Sequence, residues 1–283
     1  MQHAATQTRI EPYRGGLYID FPTLWHYRDL LFMFARLEYI AKVKQTILGP
    51  LWYILHPLIT SAVFIFIFTK VVEIPSNGIP PLLFYLSGLL PWGYFSQCLL
   101  SVSSSLTGNV HLYRKVFIPR LLMPLSILIS KLIPFVIQFV VFVLVYAYYR
   151  IFTSVADEIQ PSILLLALPL YVLQMGALGL GAGLALAALS VRYRDLQHVV
   201  GLLIQLWMYC TPVFYPGILI AETWRPAMAL NPMASIVEAV RQGFFGTYVS
   251  WRYVGLSIAV TLVVLAVGLV SYQRVEHDFV DTI

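Results

Sequence analysis

The sequence predicts an all-α integral membrane protein. It has six transmembrane helices, an N-terminal amphipathic interfacial helix and short re-entrant helices between the fifth and sixth spans. Three observations carry that reading. Six mainly apolar stretches, at about 51–72, 82–105, 121–149, 161–189, 197–216 and 253–272, match the ~20 residues a helix needs to cross ~30 Å of hydrocarbon. Apolar residues make up 59% of the 283 and charged residues only 11%, a balance foreign to a soluble domain of this size. Glycine, proline and charge gather between the stretches, where irregular backbone escapes lipid.

The basic residues set the orientation. Arg9, Arg14, Arg28, Arg36, Lys42 and Lys44 precede the first span. Arg114, Lys115 and Arg120 follow the second, Arg192 and Arg194 follow the fourth, and Arg274 follows the sixth. These loops hold 12 of the 18 basic residues, so the positive-inside rule puts both termini and both basic loops in the cytoplasm. The formal charge of +5 is thereby explained without nucleic acid.

Residues 1–21 read as a cytoplasmic tail and 22–283 as a single transmembrane domain. The tail holds no apolar core ending in a small-residue cleavage site, so no removable leader is expected. From Pro22 to about residue 47 the pattern is helical, with proline suited to the first turn. Leu24, Tyr27, Leu31 and Phe34 fall on one side, and His26, Asp29 and Arg36 on the other. Glu38 and Arg28 interrupt the stripe, while Trp25 and Phe32 widen it. A helix lying in the headgroup region accounts for this pattern, and Gly49-Pro50 breaks it before the first span.

The third span carries Pro124 and Pro134, which predict a kink, and Lys131 about two turns inside. An ionisable group at that depth is a functional candidate. The reading we favour is that its long stem snorkels to the headgroups. In the fourth span Gly176, Gly179, Gly181 and Gly183 mark a close-packing face. Cys98 and Cys210 read as buried thiols, with no Cys or His spacing for a metal. After Thr211-Pro212-Val213-Phe214-Tyr215-Pro216, the segment to about 250 is apolar but broken by Glu222, Arg225, Asn231-Pro232, Glu238 and Arg241. Short re-entrant helices satisfy it.

Several chemistries are missing. The chain has no phosphate-binding G-x-x-x-x-G-K loop, no G-x-S-x-G or H-E-x-x-H, and no Asp or Glu in the predicted span cores, where ion-coupled carriers place them. The chain has no catalytic residues and no cofactor or metal of its own by this reading. Either its energy comes from elsewhere or it is a passive path.

Lys44-Gln45-Thr46-Ile47-Leu48-Gly49-Pro50-Leu51-Trp52, Gly88-Leu89-Leu90-Pro91-Trp92, Asn109 with Lys115-Val116-Phe117-Ile118-Pro119-Arg120, Arg192-Tyr193-Arg194-Asp195, Thr211 to Pro216, and Asn231-Pro232-Met233 occur in that order. Together they resemble the permease subunits of ABC transporters that export bacterial surface polysaccharides such as O-antigen, capsule and teichoic acid. The resemblance covers about 22–283. It implies a homodimer in the bacterial cytoplasmic (inner) membrane, with a channel for a lipid-linked polysaccharide. Two separate ATP-binding subunits would carry ATP and Mg.

By the same resemblance, Asn109, Arg114, Lys115, Val116, Phe117, Pro119 and Arg120 belong to the segment that couples to the ATPase, where its cations suit charge-assisted contacts. On its own that basic loop is equally ordinary positive-inside patterning. Trp25, Arg28, Asp29, Arg36, Lys42 and Lys44 lie on the interfacial helix at the substrate entry. Phe214, Tyr215, Pro216, Asn231, Pro232, Glu238 and Arg241 belong to an outer gate.

Aromatic residues, 14% of the chain, suit a glycan path because sugar faces stack on flat rings. Tyr85, Trp92, Tyr94, Phe95, Trp207 and Tyr209 are the candidates, against the alternative that they are interfacial belts or core. Two rival functions stand beside the exporter: an ABC permease for drugs or small lipids, and a membrane-embedded glycosyltransferase or polymerase. The second should show paired acidic groups, whereas Asp157, Glu158, Glu222 and Glu238 are dispersed.

Overall fold

The computed structural model describes residues 21–281 apart from 45, 77, 109–117, 154, 156–158, 194 and 248–249, and side chains within 22–275. Among the described residues every regular element is helical. α1 (Phe21–His26) and α2 (Arg28–Val43) precede α3 (Trp52–Phe64), which a tight turn at Gly49–Leu51 and a π-helical Ile65–Val71 extend at its two ends. α4 (Pro81–Ser103), the short α5 (Ser105–Gly108) and α6 (Leu122–Phe152) follow. Then come α7 (Leu168–Arg192), α8 (Leu196–Tyr209), α9 (Arg225–Ala229), α10 (Pro232–Phe245) and α11 (Trp251–Asp281).

Four helical stretches are long and apolar enough to cross a bilayer: Gly49–Val71, Leu122–Phe152, Ile163–Arg192 and Trp251–Val275. The second sequence stretch forms α4, whose 23 residues reach about 35 Å. It carries Ser87, Gly88, Pro91, Ser96 and Gln97 because it runs through the middle of the bundle, not along lipid. Most of its residues between Leu83 and Ser103 are buried, packed by α3, α6, α7, α8 and α10. The fifth stretch is helical over only 14 residues, about 21 Å, shorter than the 197–216 expected. Thr211-Pro212 ends it, and the chain turns there across one end of the bundle.

The fourth-span glycines do what small residues allow. A Cβ on Gly179 or Gly183 would lie 2.9 Å from Cys98 Cβ or 2.7 Å from Val102 Cβ on α4. One on Gly181 would lie 2.5 Å from Leu265 Cα on α11, whose Gly268 would in turn strike the Gly181 carbonyl. α7 is thus clamped between α4 and α11, its two largest interfaces. Gln174 Nε2 ties α7 to α11 by hydrogen bonds to Ser257 Oγ (2.8 Å) and Thr261 Oγ1 (3.3 Å).

Pro124 lies in the first turn of α6, where an N–H has no intrahelical acceptor to lose, so it does not interrupt the helix. Pro134 lies inside α6, which continues through it to Phe152. The N-terminal helix ends at Val43 and is divided at Tyr27.

Candidate functional site

Two groups of polar contacts mark the ends of the bundle. At the end where α2 packs on α6, Lys131 Nζ donates to Glu38 Oε1 at 3.1 Å. The same oxygen lies 3.3 Å from Lys42 Nζ. Lys131 is 3% exposed, so the snorkelling expected of it is corrected. A carboxylate reaches it from α2, which removes the need to stretch to the headgroups. Burial alone would raise the Glu38 carboxyl, but Lys131 and Lys42 overcome it and hold it below the usual carboxylate value.

The other candidates on α1, α2 and the residue after it are exposed. Trp25 is 72% exposed, with the Arg28 guanidinium 5.5 Å from its ring and bonded to its carbonyl at 3.3 Å. Arg28 also lies 3.9 Å from Asp29. Arg36, Lys42 and Lys44 are exposed. Of the residues expected in a coupling segment, Asn109, Arg114, Lys115, Val116 and Phe117 lie outside the described residues. Pro119 accepts from the Leu122 N–H at 2.9 Å, and the Arg120 carbonyl accepts from Tyr272 Oη on α11 at 3.2 Å.

The opposite end is built around Arg241 and Asn231. Arg241, buried on α10, donates to the carbonyls of Pro212 (2.6 Å), Val213 (3.0 Å), Phe84 (3.4 Å) and Tyr215 (3.5 Å), and to Ser87 Oγ (3.3 Å). Its guanidinium also sits 3.8 Å from the Phe84 ring centroid. One cation therefore joins α4, the 212–215 turn and α10. A buried guanidinium stays charged only because carbonyl oxygens replace its water.

Asn231 caps α10, its Oδ1 accepting from the Met233 N–H at 3.1 Å and from Trp207 Nε1 at 3.0 Å. Its Nδ2 donates to the Cys210 carbonyl and to Thr211 Oγ1, both at 3.0 Å. The C-terminus of α8 and the start of α10 thus share one side chain. Gly246, at φ +69°, closes α10 in the left-handed conformation that favours glycine.

Phe214 is buried and wedges among rings, 4.7 Å from Phe64, 5.2 Å from Phe68 and 5.6 Å from Tyr209. Tyr215 donates from Oη to the Tyr209 carbonyl at 3.2 Å. Pro216 and Pro232 are buried, and Glu238 is half-buried. Burial pushes the Glu238 carboxyl above the usual range, opposed by the charges of Arg241 and Arg225.

The aromatic candidates separate. Tyr85, Trp92, Tyr94 and Phe95 are buried in the core. Trp92 and Phe95 stand 5.4 Å apart, and Tyr94 is 5.2 Å from Phe135. A glycan track needs open ring faces, and in this structure the faces of these four rings are covered by core neighbours. Trp207 is half-buried against Phe95 at 5.0 Å, and Tyr209 is exposed.

Sequence reasoning missed Trp224, which is 67% exposed. With Trp207 and Tyr215 it lines a cavity of about 880 Å³. Glu222 and Arg225 on either side of it stand out as charges in an apolar segment, whereas an aromatic ring there carries no such signal.

A family model described as "ABC-2 type transporter" matches residues 30–245. The chain is 26% identical over 259 residues to the "O-antigen export system permease protein RfbA" of Klebsiella pneumoniae, covering 89% of this chain and 94% of that one. The protein of the same name from Myxococcus xanthus is 33% identical over 226 residues, covering 78% and 82%. The "Polysialic acid transport protein KpsM" of Escherichia coli is 25% identical over 234 residues, covering 81% and 87%.

Proposed function

The chain belongs to the ABC-2 type transporter family, and on that premise we propose that it is the membrane subunit of an ATP-driven exporter of a lipid-linked polysaccharide. It is a multi-pass membrane protein whose work is transport, not catalysis. The observation that carries the cargo is its similarity, over about four fifths of its length or more, to permeases of two kinds of polysaccharide, O-antigen and polysialic acid.

In this reading two copies pair in the bacterial cytoplasmic membrane, with both termini inside and two ATP-binding subunits below. α4 and α8 complete six spans: α4 because it is long enough, α8 because the turn after it carries the chain to the outer surface. α2 lies in the cytoplasmic interface beside the entry. The segment 109–120 transmits the partner's closure, which α6 and α11 receive through Arg120 and Tyr272. At the outer end Phe214 plugs the gap between α3 and α8. Opening there requires the bonds of Arg241 and Asn231 to rearrange.

The test is co-purification of a stoichiometric ATP-binding subunit from native membranes, followed by reconstitution of the complex. ATP-dependent passage of glycan across the vesicle membrane is the expected result. Charge reversal at Arg114 and Lys115 should abolish passage while ATP is still hydrolysed. Recovery of active permease alone, without an ATPase, rejects the proposal.

A further inference from the structure

Beside the cavity of Trp207, Tyr215 and Trp224 lies a second one of about 590 Å³, sharing Ile220 and Met228 with it. Glu238 lines this second space from α10. Its carboxylate lies over Gly217, so close that a Cβ on Gly217 would collide with Oε1. Among the described residues Glu238 has no hydrogen-bond or ion-pair partner. Arg225 is held by Glu222 at 3.5 Å, and Arg241 directs its N–H groups at Ser87 and at backbone carbonyls. Both cations act on Glu238 through their charge alone.

A half-buried carboxylate that has lost part of its water without gaining donors is disfavoured, and donors that arrive with a ligand would relieve this. The hydroxyl-bearing Ser235, Ser250 and Tyr253 surround the same space. A carboxylate acceptor in a space that adjoins the cavity of Trp224 and Tyr215 fits a pyranose: two neighbouring sugar hydroxyls would donate to the carboxylate while the apolar C–H face lies on a ring. An acidic sugar would meet the repulsion of this carboxylate, since Arg225 and Arg241, which line the same space, are already held by Glu222 and by backbone carbonyls. A hard cation needs about six oxygen ligands, and one carboxylate falls short of that.

We propose that Glu238, with the rings of Trp224 and Tyr215, forms an exit subsite for an uncharged, hydroxyl-rich sugar unit of the exported chain. The proposal rests on the polysaccharide reading above and narrows it to a cargo with neutral stretches.

The test uses the protein in lipid nanodiscs and follows its tryptophan fluorescence. The probe is glycan freed from its lipid by mild acid, taken from the cells that make this protein, with polysialic acid for comparison. Saturable quenching by the cells' own glycan, and none by polysialic acid, is expected. Glu238→Ala should weaken binding about tenfold, the worth of one charge-assisted hydrogen bond. Gly217→Ala, which keeps the carboxylate but displaces it, should weaken binding comparably with an unchanged melting temperature.

Equal affinity in both variants overturns the subsite, as does tighter binding of polysialic acid. So does divalent-cation binding that Glu238→Ala abolishes while glycan binding persists. Glycan transport by the reconstituted complex is read separately. If the wild type exports but binding ignores Glu238, the subsite alone falls. If no glycan crosses with ATP, the parent reading falls and the subsite with it.

Discussion

Glu38 and Lys131 stand 93 residues apart in sequence and 3.1 Å apart in space. Their contact is the polar bond between the amphipathic helix α2 and the span α6. Each residue is anomalous in its own segment, Glu38 as a charge in an apolar stripe and Lys131 as a cation inside a span. Paired, each explains the other. Lys42 approaches the same carboxylate oxygen at 3.3 Å, so one anion serves two cations.

Removing the two partners should have unequal effects. Glu38→Gln leaves Lys131 buried without its anion and should destabilise by about 3 kcal/mol, the cost of breaking a buried pair. Lys131→Met leaves Glu38 with Lys42 and an apolar side chain in an apolar place, so its cost should fall below 1 kcal/mol or so. The double variant should sit near Lys131→Met. Melting of the four proteins in nanodiscs measures this, and additive losses would contradict the pairing.

The pH dependence follows from the Glu38 carboxyl, held below its ordinary value of 4.5 by Lys131 and Lys42 against the opposing effect of burial. A depressed carboxylate contributes stability that is fully present above its unfolded value and is lost as pH falls through the folded one. Attachment of α2 to α6 should therefore be constant at neutral pH and loosen only below about 4.5. Spin labels at Arg36 and Val136 would report the separation. Glu38→Gln should show the loosened distance at every pH.

How much was legible depended on whether a property is local. Four of the apolar runs, the breaks at Gly49-Pro50 and Thr211-Pro212, and the small-residue face of α7 are written in adjacent residues and appear in the structure. The fifth run, by contrast, stops at Tyr209, short of the expected 216. Which face of α4 meets the core is not local. Tyr85, Trp92, Tyr94 and Phe95 look the same from sequence whether they line a path or fill a core, because the helix is apolar on all sides and has no stripe to orient it. Arg241 was picked out as a charge in an apolar segment. Its acceptors are carbonyls of Phe84, Pro212 and Val213, which no side-chain pattern can announce.

Arg241 ties three segments, so its loss should be felt at the end of the bundle where they meet. Arg241→Ala strips the donors from four carbonyls and should cost about 3 kcal/mol or more. Arg241→Lys keeps the charge but not the planar fork, and should recover less than half. Hydrogen exchange of residues 212–216 reads the local effect. Unchanged protection in both variants would show that the turn holds without the cation.

Asn231→Ala removes a helix cap worth about 1 kcal/mol together with the acceptor of Trp207 Nε1 and the donor to the Cys210 carbonyl. Asn231→Asp keeps the cap and the Trp207 bond but loses both Nδ2 donations. The two variants therefore separate capping from the tie to α8. If the tie matters, Asn231→Asp should melt near Asn231→Ala. If capping dominates, it should melt near the wild type. Trp207 Nε1–H Raman intensity should shift in Asn231→Ala alone.

At the Gly181–Gly268 crossing the backbones of α7 and α11 approach closely, and the two glycines are not interchangeable. A methyl on Gly268 meets the Gly181 carbonyl, and one on Gly181 meets the Leu265 backbone. Neither neighbour is a flexible side chain that can turn aside. Either alanine forces α7 and α11 apart, and overpacking of this kind costs about 1–3 kcal/mol. The separation also strains the Gln174 bonds to Ser257 and Thr261, so Gly181→Ala with Gln174→Leu should be less destabilising than the sum of the two. Melting of the single and double variants in nanodiscs decides it: strict additivity would mean that the crossing and the polar bridge are independent. By contrast Gly201→Ala, where a Cβ meets nothing within 4 Å, should be neutral or slightly stabilising through helix propensity.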